Sequence, residues 1–407
     1  MTLEFKLPNI RHLNALQEVA RHRRVGIAAE KVHMSQPAVT QAVAKLEQTI
    51  GAQLFERRSN GMFPTQIGEL FTGRTGRTLD HLKSGEQQAQ KIAERLSKTR
   101  RRNFYKLTTA AQLQSIVAIA QTGNYSHAAR QLGISQPAVY RAAKELEKLS
   151  GIKLFDQIRR GVTLTPAAEI FVHHVRLAMA EIRQGFYEIE EYLGRDSTVI
   201  SVGSLPLSRT SILPNAIDAL LQETENKVQI RNIDGPYATL LRDLRFGDVD
   251  FIIGALRDPP PADDVIQETL FNDPLSIVVG AKHPLLKRRS PTLKDTLAYP
   301  WIAPPRSTPT GTYLYDTLKI PESQNTPVRI VSSSLILLRG LMMRKNYITI
   351  MSSKQIEVEN EQGLLFPLPI ELKNSARSIG LTFRMGWKPT STQNRFIDLI
   401  RDEFRNA

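Results

Sequence analysis

Gln36 and Gln136 occupy matched positions that prepare a specific chemistry. Each lies in the same five-residue string, Ser35-Gln-Pro-Ala-Val39 and Ser135-Gln-Pro-Ala-Val139, directly after a serine able to cap a helix. A glutamine at the open end of a helix can present its amide oxygen and nitrogen together, a match for the N6 and N7 edge of adenine. Further along, each string is followed by an arginine pair, Arg57-Arg58 before Gly61 and Arg159-Arg160 before Gly161. Guanidinium groups so placed suit phosphate.

The rest of the reactive inventory is thin. There is no cysteine, which excludes thiol catalysis, disulfides, Cys-ligated zinc and iron–sulfur clusters. The adjacent His173 and His174 point in different directions around a helix and make a poor metal pair, so no metal or other cofactor is expected. The dinucleotide-binding, Walker A, nucleophile-elbow and H-E-x-x-H motifs are all missing. A metabolic enzyme with a DNA-binding arm, the alternative of another class, would betray itself by turning over the bound compound.

The elements that carry the glutamines recur at an offset of 100 residues. Ala28-Ala29 matches Ala128-Ala129, Leu46-Glu47 matches Leu146-Glu147, and Gly51 matches Gly151. Leu54-Phe55, Gly61 and Thr65 recur as Leu154-Phe155, Gly161 and Thr165, with no gap. Each copy is expected to form three helices and a hairpin. In the second, Leu113, Ile116, Val117 and Ala120 form one helical stripe, broken at Gly123-Asn124. Ser126 is expected to cap a short helix that ends at Gly133. Ser135 opens a third, with Pro137 in its first turn and Gly151 at its end. A helix, a tight turn and a second helix with an exposed polar face is a helix-turn-helix arrangement, and the hairpin is then its wing.

Charge agrees with a polyanion partner. The chain of 407 residues carries a net +14, and residues 1–106 hold 19 Lys/Arg against 9 Asp/Glu. Residues 107–195 hold 10 against 8 and residues 196–407 hold 25 against 23. Nothing at Met1–Pro8 resembles a secretory signal, and the longest apolar run, Leu335-Ile-Leu-Leu338, is far too short to span a membrane. A cytoplasmic protein without membrane contact is expected.

Residues 167–193 read as one long amphipathic helix suited to packing against a second copy of itself. The matching stretch after the first hairpin contains Gly68, Gly73, Gly76 and Gly85 and is expected to form shorter, weaker helices. Arg100-Arg-Arg102 then leads into the second copy as a basic connector. From Ser197 strands alternate with helices, beginning with Val199–Val202, a helix near 211–223, Val228–Ile233, a helix from Tyr237, and Phe251–Ile253. This run calls for a parallel sheet covered by helices, with ligand at the carboxyl ends of the strands. Ser204, Arg306, Thr308 and Ser333 follow such strands and could meet a small polar effector through hydroxyls and a guanidinium; capping a helix is the competing role for the hydroxyls.

The repeated residues together resemble the winged helix-turn-helix of LysR-type transcriptional regulators. The C-terminal half is similar to that family's effector-binding domain, through Leu240–Ile253, His283-Pro-Leu285 and Tyr299-Pro-Trp-Ile302. The resemblance implies a multidomain chain: two tandem all-α winged helix-turn-helix domains plus a C-terminal α/β two-lobed, periplasmic-binding-protein-like domain. The expected boundaries are 8–70 and 107–166 for the two winged domains, with 71–106 as linker. Residues 167–194 would be the linker and dimerisation helix, and 197–407 the effector-binding domain. The family usually has one winged domain, so the tandem pair is a departure.

Carried over residue by residue, the family's DNA contacts fall on Ser35, Gln36, Pro37, Thr40 and Gln41 in the first copy. In the second they fall on Ser135, Gln136, Pro137, Tyr140 and Arg141. Arg57 and Arg58, and Arg159 and Arg160, would hold the wings on the phosphate backbone. Charge and the string Leu54-Phe-Glu-Arg57 favour the first copy, helical spacing favours the second, and both are expected to touch DNA. The function implied is sequence-specific transcriptional regulation governed by a small polar metabolite, a sugar or carboxylate. In the alternative, the C-terminal half serves only oligomerisation. The implied partners are double-stranded DNA, the effector, further copies of the chain as dimer or tetramer, and RNA polymerase.

Overall fold

Each recurring residue of the repeat holds a particular joint in a helix–helix–helix–hairpin unit, and the unit is built twice. In this computed structural model, which describes residues 7–94, 103–159, 161–323 and 325–405, the first copy contains α1 (Ile10–His22), α2 (Val25–Val32), α3 (Gln36–Ile50), β1 (Phe55–Arg58) and β2 (Gly61–Pro64). A long helix α4 (Gln66–Glu94) follows, then a 3-10 turn at Phe104–Leu107. The second copy contains α5 (Ala110–Thr122), α6 (Tyr125–Leu132), α7 (Gln136–Ser150), β3 (Phe155–Ile158) and β4 (Gly161–Leu164), followed by the long helix α8 (Pro166–Tyr192). The basic triplet at 100–102 lies outside the described residues. Residues 1–198 form one compact unit and 199–407 another.

Glu47 accepts the backbone N–H groups of Leu54 and Phe55 at 2.8 and 3.2 Å, and Glu147 accepts those of Leu154 and Phe155 at the same distances. Thr65 donates to the Gln53 carbonyl at 2.8 Å and Thr165 to that of Lys153, also at 2.8 Å. Each threonine hydroxyl then accepts from the first turn of its long helix, Thr65 from Gly68 and Thr165 from Ala168. Each hairpin is fastened to the turn before the second helix, Met62 N–H to the Arg23 carbonyl at 2.8 Å and Val162 N–H to that of Gly123 at 2.9 Å. A Cβ at Gly61 would sit 2.2 Å from that Arg23 oxygen, and one at Gly161 2.3 Å from that of Gly123, so the repeated glycine is what lets the hairpin dock. One expected joint differs: Asn124, not Ser126, caps α6, its Oδ1 accepting from the N–H groups of Ser126 and His127.

The four glycines after the first hairpin do not break a helix, since α4 runs unbroken for 29 residues. Packing accounts for three of them, Gly68 against the Leu54 carbonyl, Gly76 against Gln17 and Gly85 against α8, while Gly73 is exposed. A Cβ at Gly85 would lie 2.6 Å from the Cβ of His174 on α8, and one at Gly185 would lie 3.0 Å from the Cβ of Arg74 on α4. The glycines cost helix propensity, about 1 kcal/mol each, but permit the two long helices to lie against one another. Their partners run in opposite senses, with Arg74 beside Gln184, Thr78 beside Ala178 and Gly85 beside His174, so the pair is antiparallel. The helix expected to face a second copy of itself thus lies along α4 of its own chain, and Phe71 meets Phe186 edge-on at 5.8 Å within that seam.

Arg74 is 1% exposed at this seam. Its guanidinium reaches Glu181 at 3.0 Å, Gln184 at 2.6 Å and both carboxylate oxygens of Glu188, while Arg77 reaches Glu181 at 2.7 Å. At the other end His174 stands beside His173 and His81, with ring centroids at 5.5 and 6.1 Å. Burial first, then the two neighbouring imidazoles, lower its pKa to about 4.

The second unit has two five-stranded sheets. One contains β5 (Val199–Ser204), β6 (Gln229–Asp234), β7 (Phe251–Ala255) and β8 (Val265–Asp273), with α9 (Ile212–Glu223) and α10 (Tyr237–Arg245) in the crossovers. The chain crosses at once into β9 (Leu275–Gly280). The short α11 (Leu293–Thr296), β10 (Trp301–Ala303), the short α12 (Pro309–Thr312), β11 (Val328–Val331), α13 (Leu335–Met342), β12 (Ile348–Ser352), the short α14 (Glu357–Glu361) and β13 (Leu365–Pro367) follow. Strand β14 (Arg377–Arg384) returns to the first sheet, and α15 (Ser391–Arg405) closes the chain. The sheet orders are β6-β5-β7-β14-β8 and β11-β10-β12-β9-β13. Both sheets are mixed and not purely parallel, because β14 runs against β7 and β8, and β9 runs against β12 and β13. Strand β8 is an edge strand of short apolar and polar blocks, mostly half-buried or exposed, a weaker signal than the buried Val/Ile runs of β5, β7 and β9.

Two expectations follow from the helical seam. Arg74→Met leaves Glu188 without its cation and Glu181 with Arg77 alone, so stability to urea falls by about 3 kcal/mol, read by loss of helical circular dichroism. His174 stays neutral in the folded chain but takes a proton below its ordinary 6.5 once unfolded. The unfolded state therefore binds more protons between pH 6.5 and about 4, and stability declines as pH falls through that window. His174→Gln flattens that decline in a pH series of thermal melts.

Candidate nucleic-acid interface

Helices α3 and α7 are positioned for an external partner because each buries only one face. Val39, Ala42, Val43 and Leu46 of α3, and Val139, Ala143 and Leu146 of α7, are buried in the core of their unit. The opposite faces point outward. Ser35, Gln36, Pro37 and Gln41 are exposed and Thr40 half-buried, while Ser135, Gln136, Pro137, Tyr140 and Arg141 are all exposed. The sequence-derived candidates on each helix are therefore gathered on one accessible surface. Ser35 accepts from the N–H of Ala38 at 3.3 Å, whereas Ser135 stands at the cap position without that bond.

The two faces differ in chemistry. In the first copy the Gln36 amide lies over Gly26, where a Cβ would come within 3.1 Å of its nitrogen. In the second, Tyr140 is 42% exposed, meets Tyr125 edge-on at 5.3 Å and lies 5.9 Å from the Lys144 ammonium. Lys144 is in turn bound to Glu147 at 2.6 Å. Tyr140 and Arg141 thus present a supported ring beside a cation where Thr40 and Gln41 present short polar groups.

The wings differ as well. Phe63 on β2 is flanked by Arg23 at 5.1 Å and Arg58 at 4.9 Å, two cations on one aromatic ring. Arg23 has a left-handed backbone, φ 58°, and was not picked out from the sequence; its position in the α1–α2 turn opposite the wing was the available signal. Arg58 also pairs with Glu56 at 2.8 Å, so part of its charge is already answered, whereas Arg57 is exposed. Arg159 is exposed, and Arg160 lies outside the described residues. The basic excess of the N-terminal quarter falls mostly between the two copies, where residues 71–106 hold ten Lys/Arg against three Asp/Glu.

In the second unit, the carboxyl ends of β5, β6 and β7 share a sheet edge with the start of β14. Ser204 is fully buried there, its hydroxyl without a hydrogen-bond partner. The Tyr237 hydroxyl and the Arg377 Nε are likewise buried and unpartnered. Arg377 pairs with Asp273 and reaches Thr310, and Asp273 also accepts from Ser352 at 2.5 Å. Arg257 stacks on the Tyr237 ring at 3.9 Å, donates to the Ala255 carbonyl at 2.8 Å, and has no carboxylate at ion-pair distance among the described residues. Burial foremost, with Arg377 adding to it, lowers its pKa. Arg306, by contrast, is already held by Asp316 at 2.8 Å and Glu322 at 3.0 Å. Thr308 caps α12, accepting from Gly311 at 3.0 Å, and Ser333 is exposed before α13. Arg257, Tyr237 and Arg377 lack any local motif, and only the sheet order brings them together.

Comparison with known proteins assigns both units. A family model described as a bacterial regulatory helix-turn-helix protein of the lysR family matches residues 10–69 and again 99–169. A model for the LysR substrate binding domain matches residues 194–405. The chain is 34% identical over 387 residues to the HTH-type transcriptional regulator GalR of Pseudomonas putida, covering 94% of each. It is 29% identical over 291 residues to PcaQ of Agrobacterium fabrum, covering 71% of this chain but 93% of PcaQ. In fold it is similar to full-length OxyR from Pseudomonas aeruginosa (TM-score 0.51, 21% identity, 73% of this chain and 98% of that one). It is also similar to CbnR (TM-score 0.50, 18% identity, 72% and 98%).

The wing geometry yields a salt prediction. On duplex DNA, Arg57→Ala lowers the slope of log K against log salt by about 0.9, one released counterion. Arg58→Ala lowers it by less, because Glu56 and Phe63 already engage that guanidinium. Titrations at four salt concentrations check the order, and an equal or reversed effect contradicts it.

Proposed function

The chain belongs to the lysR family of bacterial regulatory helix-turn-helix proteins, and on that premise we propose that it reads DNA through two unlike winged helix-turn-helix units under the control of a small polar metabolite. At the coarser level it is a DNA-binding transcriptional regulator with an effector-binding domain, as its relatives are named. The observation that supports two readers is the double construction of the same joint. Glu47 and Glu147, Thr65 and Thr165, and the two wing fastenings repeat within about 0.1 Å. Relatives such as PcaQ leave over a quarter of this chain unmatched while matching nearly all of themselves, as a chain with one reader would.

In this reading Gln36, Pro37, Thr40 and Gln41, and Gln136, Pro137, Tyr140 and Arg141, meet base edges. Ser35 and Ser135 set the helix starts, and Arg57, Arg58, Arg159 and Arg160 hold the wings on phosphates. The effector lies at the shared strand edge of a periplasmic-binding-protein-like second unit, between Ser204, Tyr237, Arg257 and Arg377, with Thr308 and Ser333 at its border. Arg257 without a carboxylate partner favours an anionic ligand, a carboxylate before a neutral sugar. Arg306, neutralised by Asp316 and Glu322, contributes least. The effector shifts the protein only through different affinities for its two states. Assembly with further copies, a contact to RNA polymerase and work in the cytoplasm complete the reading. No described helix is long and apolar enough to cross a membrane.

Selection of bound duplexes from a random pool at fixed salt tests it, with the wild type and with Gln36→Ala and Gln136→Ala. Loss of preference at different bases in the two variants is expected, each mismatch weighing about 1–3 kcal/mol. If one variant selects as the wild type does, that copy does not read bases. If no sequence is enriched by any of the three, the DNA reading fails.

A further inference from the structure

The contacts between α4 and α8 obey an exchange rule. Gly85 faces His174 and Phe171, and Gly185 faces Arg74 and Phe71; adding 100 to one member of each contact and subtracting it from the other turns the first set into the second. The distances agree, since a Cβ would stand 3.4 Å from Phe171 Cδ2 at Gly85 and 3.4 Å from Phe71 Cδ2 at Gly185. Residues related by the repeat meet each other at the centre, where the Thr78 hydroxyl donates to the Ala178 carbonyl at 3.3 Å. Reciprocal contacts around a self-pairing centre define an isologous, two-fold interface, the kind normally made between two chains.

We infer that one chain is a complete two-headed reader: its α4–α8 seam is a two-fold interface closed within the chain, holding two unlike recognition helices on two unlike half-sites. The inference rests on the proposed reading that both copies contact DNA. Each winged unit sits at the start of its long helix, and α4 and α8 are antiparallel about Thr78 and Ala178. At ~1.5 Å rise per residue, their starts, Gln66 and Pro166, are about 36 Å apart along the pair. Half-sites one helical turn apart are centred about 34–36 Å from each other. The operator of a single chain is then two adjacent half-sites that are not inverted copies, because Thr40 and Gln41 read one and Tyr140 and Arg141 the other.

The buried charges enforce pairing of unlike helices. Arg74 meets Glu181, Gln184 and Glu188; the positions equivalent to these three on α4 are His81, Ser84 and Gln88. Pairing α4 with α4 of a second chain would bury two arginines with no carboxylate opposite, and pairing α8 with α8 would leave the glutamates facing His174. Only the mixed pair satisfies Arg74, and a tether within one chain supplies it at high effective concentration.

The absence of native cysteine makes a clean test in the full chain. Thr78→Cys, Ala178→Cys and the double variant are refolded from urea at low chain concentration under oxidising conditions, so that facing thiols can close a disulfide, and separated under denaturing, non-reducing conditions with the remaining thiols counted. The double variant is expected to cross-link with the mass of one chain, and neither single variant to give a covalent dimer. Covalent dimers from a single variant, dimers from the double variant, or no cross-link in it overturn the intrachain seam. On a selected duplex, inserting five base pairs between the half-sites is expected to weaken binding by about 100-fold, because both heads can no longer engage. Gln36→Ala and Gln136→Ala should each erase preference in a different half. Loss of the same bases in both halves overturns the single-chain operator. Failure to select any sequence, with the cross-link intact, overturns the DNA reading and leaves the seam standing.

Discussion

Close approach of two long helices at Gly85 and Gly185 is the constraint on which the N-terminal unit depends. Side chains at either position would collide with the opposing helix, and without that approach Arg74 would not reach Glu181, Gln184 and Glu188. Burying a guanidinium is costly, and the arrangement holds because every part of its fork meets an acceptor of fixed position. The seam gives each winged unit a rigid base, since α4 and α8 start where the wings end. A recognition helix is useful only when its direction is fixed, and here it is fixed by a core that the two copies share.

The repeat makes sense as a set of joints. Glutamate at 47 and 147 ties the third helix to the hairpin, threonine at 65 and 165 ties the hairpin to the long helix, and glycine at 61 and 161 lets the hairpin close on the turn. Residues outside the joints have diverged, in the core as at Val43 and Ala143 or Met62 and Val162, and on the outward faces. Threonine against tyrosine at 40 and 140, glutamine against arginine at 41 and 141, and phenylalanine against threonine at 63 and 163 alter what each copy can touch without altering how it folds.

Local structure was largely legible in the sequence. The helix starts at Ser35 and Ser135, the ends at Gly133 and Gly151, and most strands of the second unit follow from capping, glycine placement and apolar runs. What could not be read locally depends on contacts across the chain. Gly85 resembles a helix breaker until α8 is seen against it, and Gly68 and Gly76 until Leu54 and Gln17 are seen against theirs. The amphipathic face of α8 announces a partner but does not say that the partner is 100 residues upstream. Arg257, Tyr237 and Arg377 carry no shared motif, because the order of strands in the sheet is what collects them. Arg306 looked available as a cation until Asp316 and Glu322 were placed beside it.

A dilution series of hydrogen exchange on the full chain bears most directly on the central claim that α4 and α8 pair within one chain. An intrachain seam predicts that amide protection around Thr78 and Ala178 is the same at micromolar and nanomolar chain concentration, even where other contacts between chains dissociate. Protection that fades from both helices together on dilution would mean that the seam is made between chains, and would contradict the account.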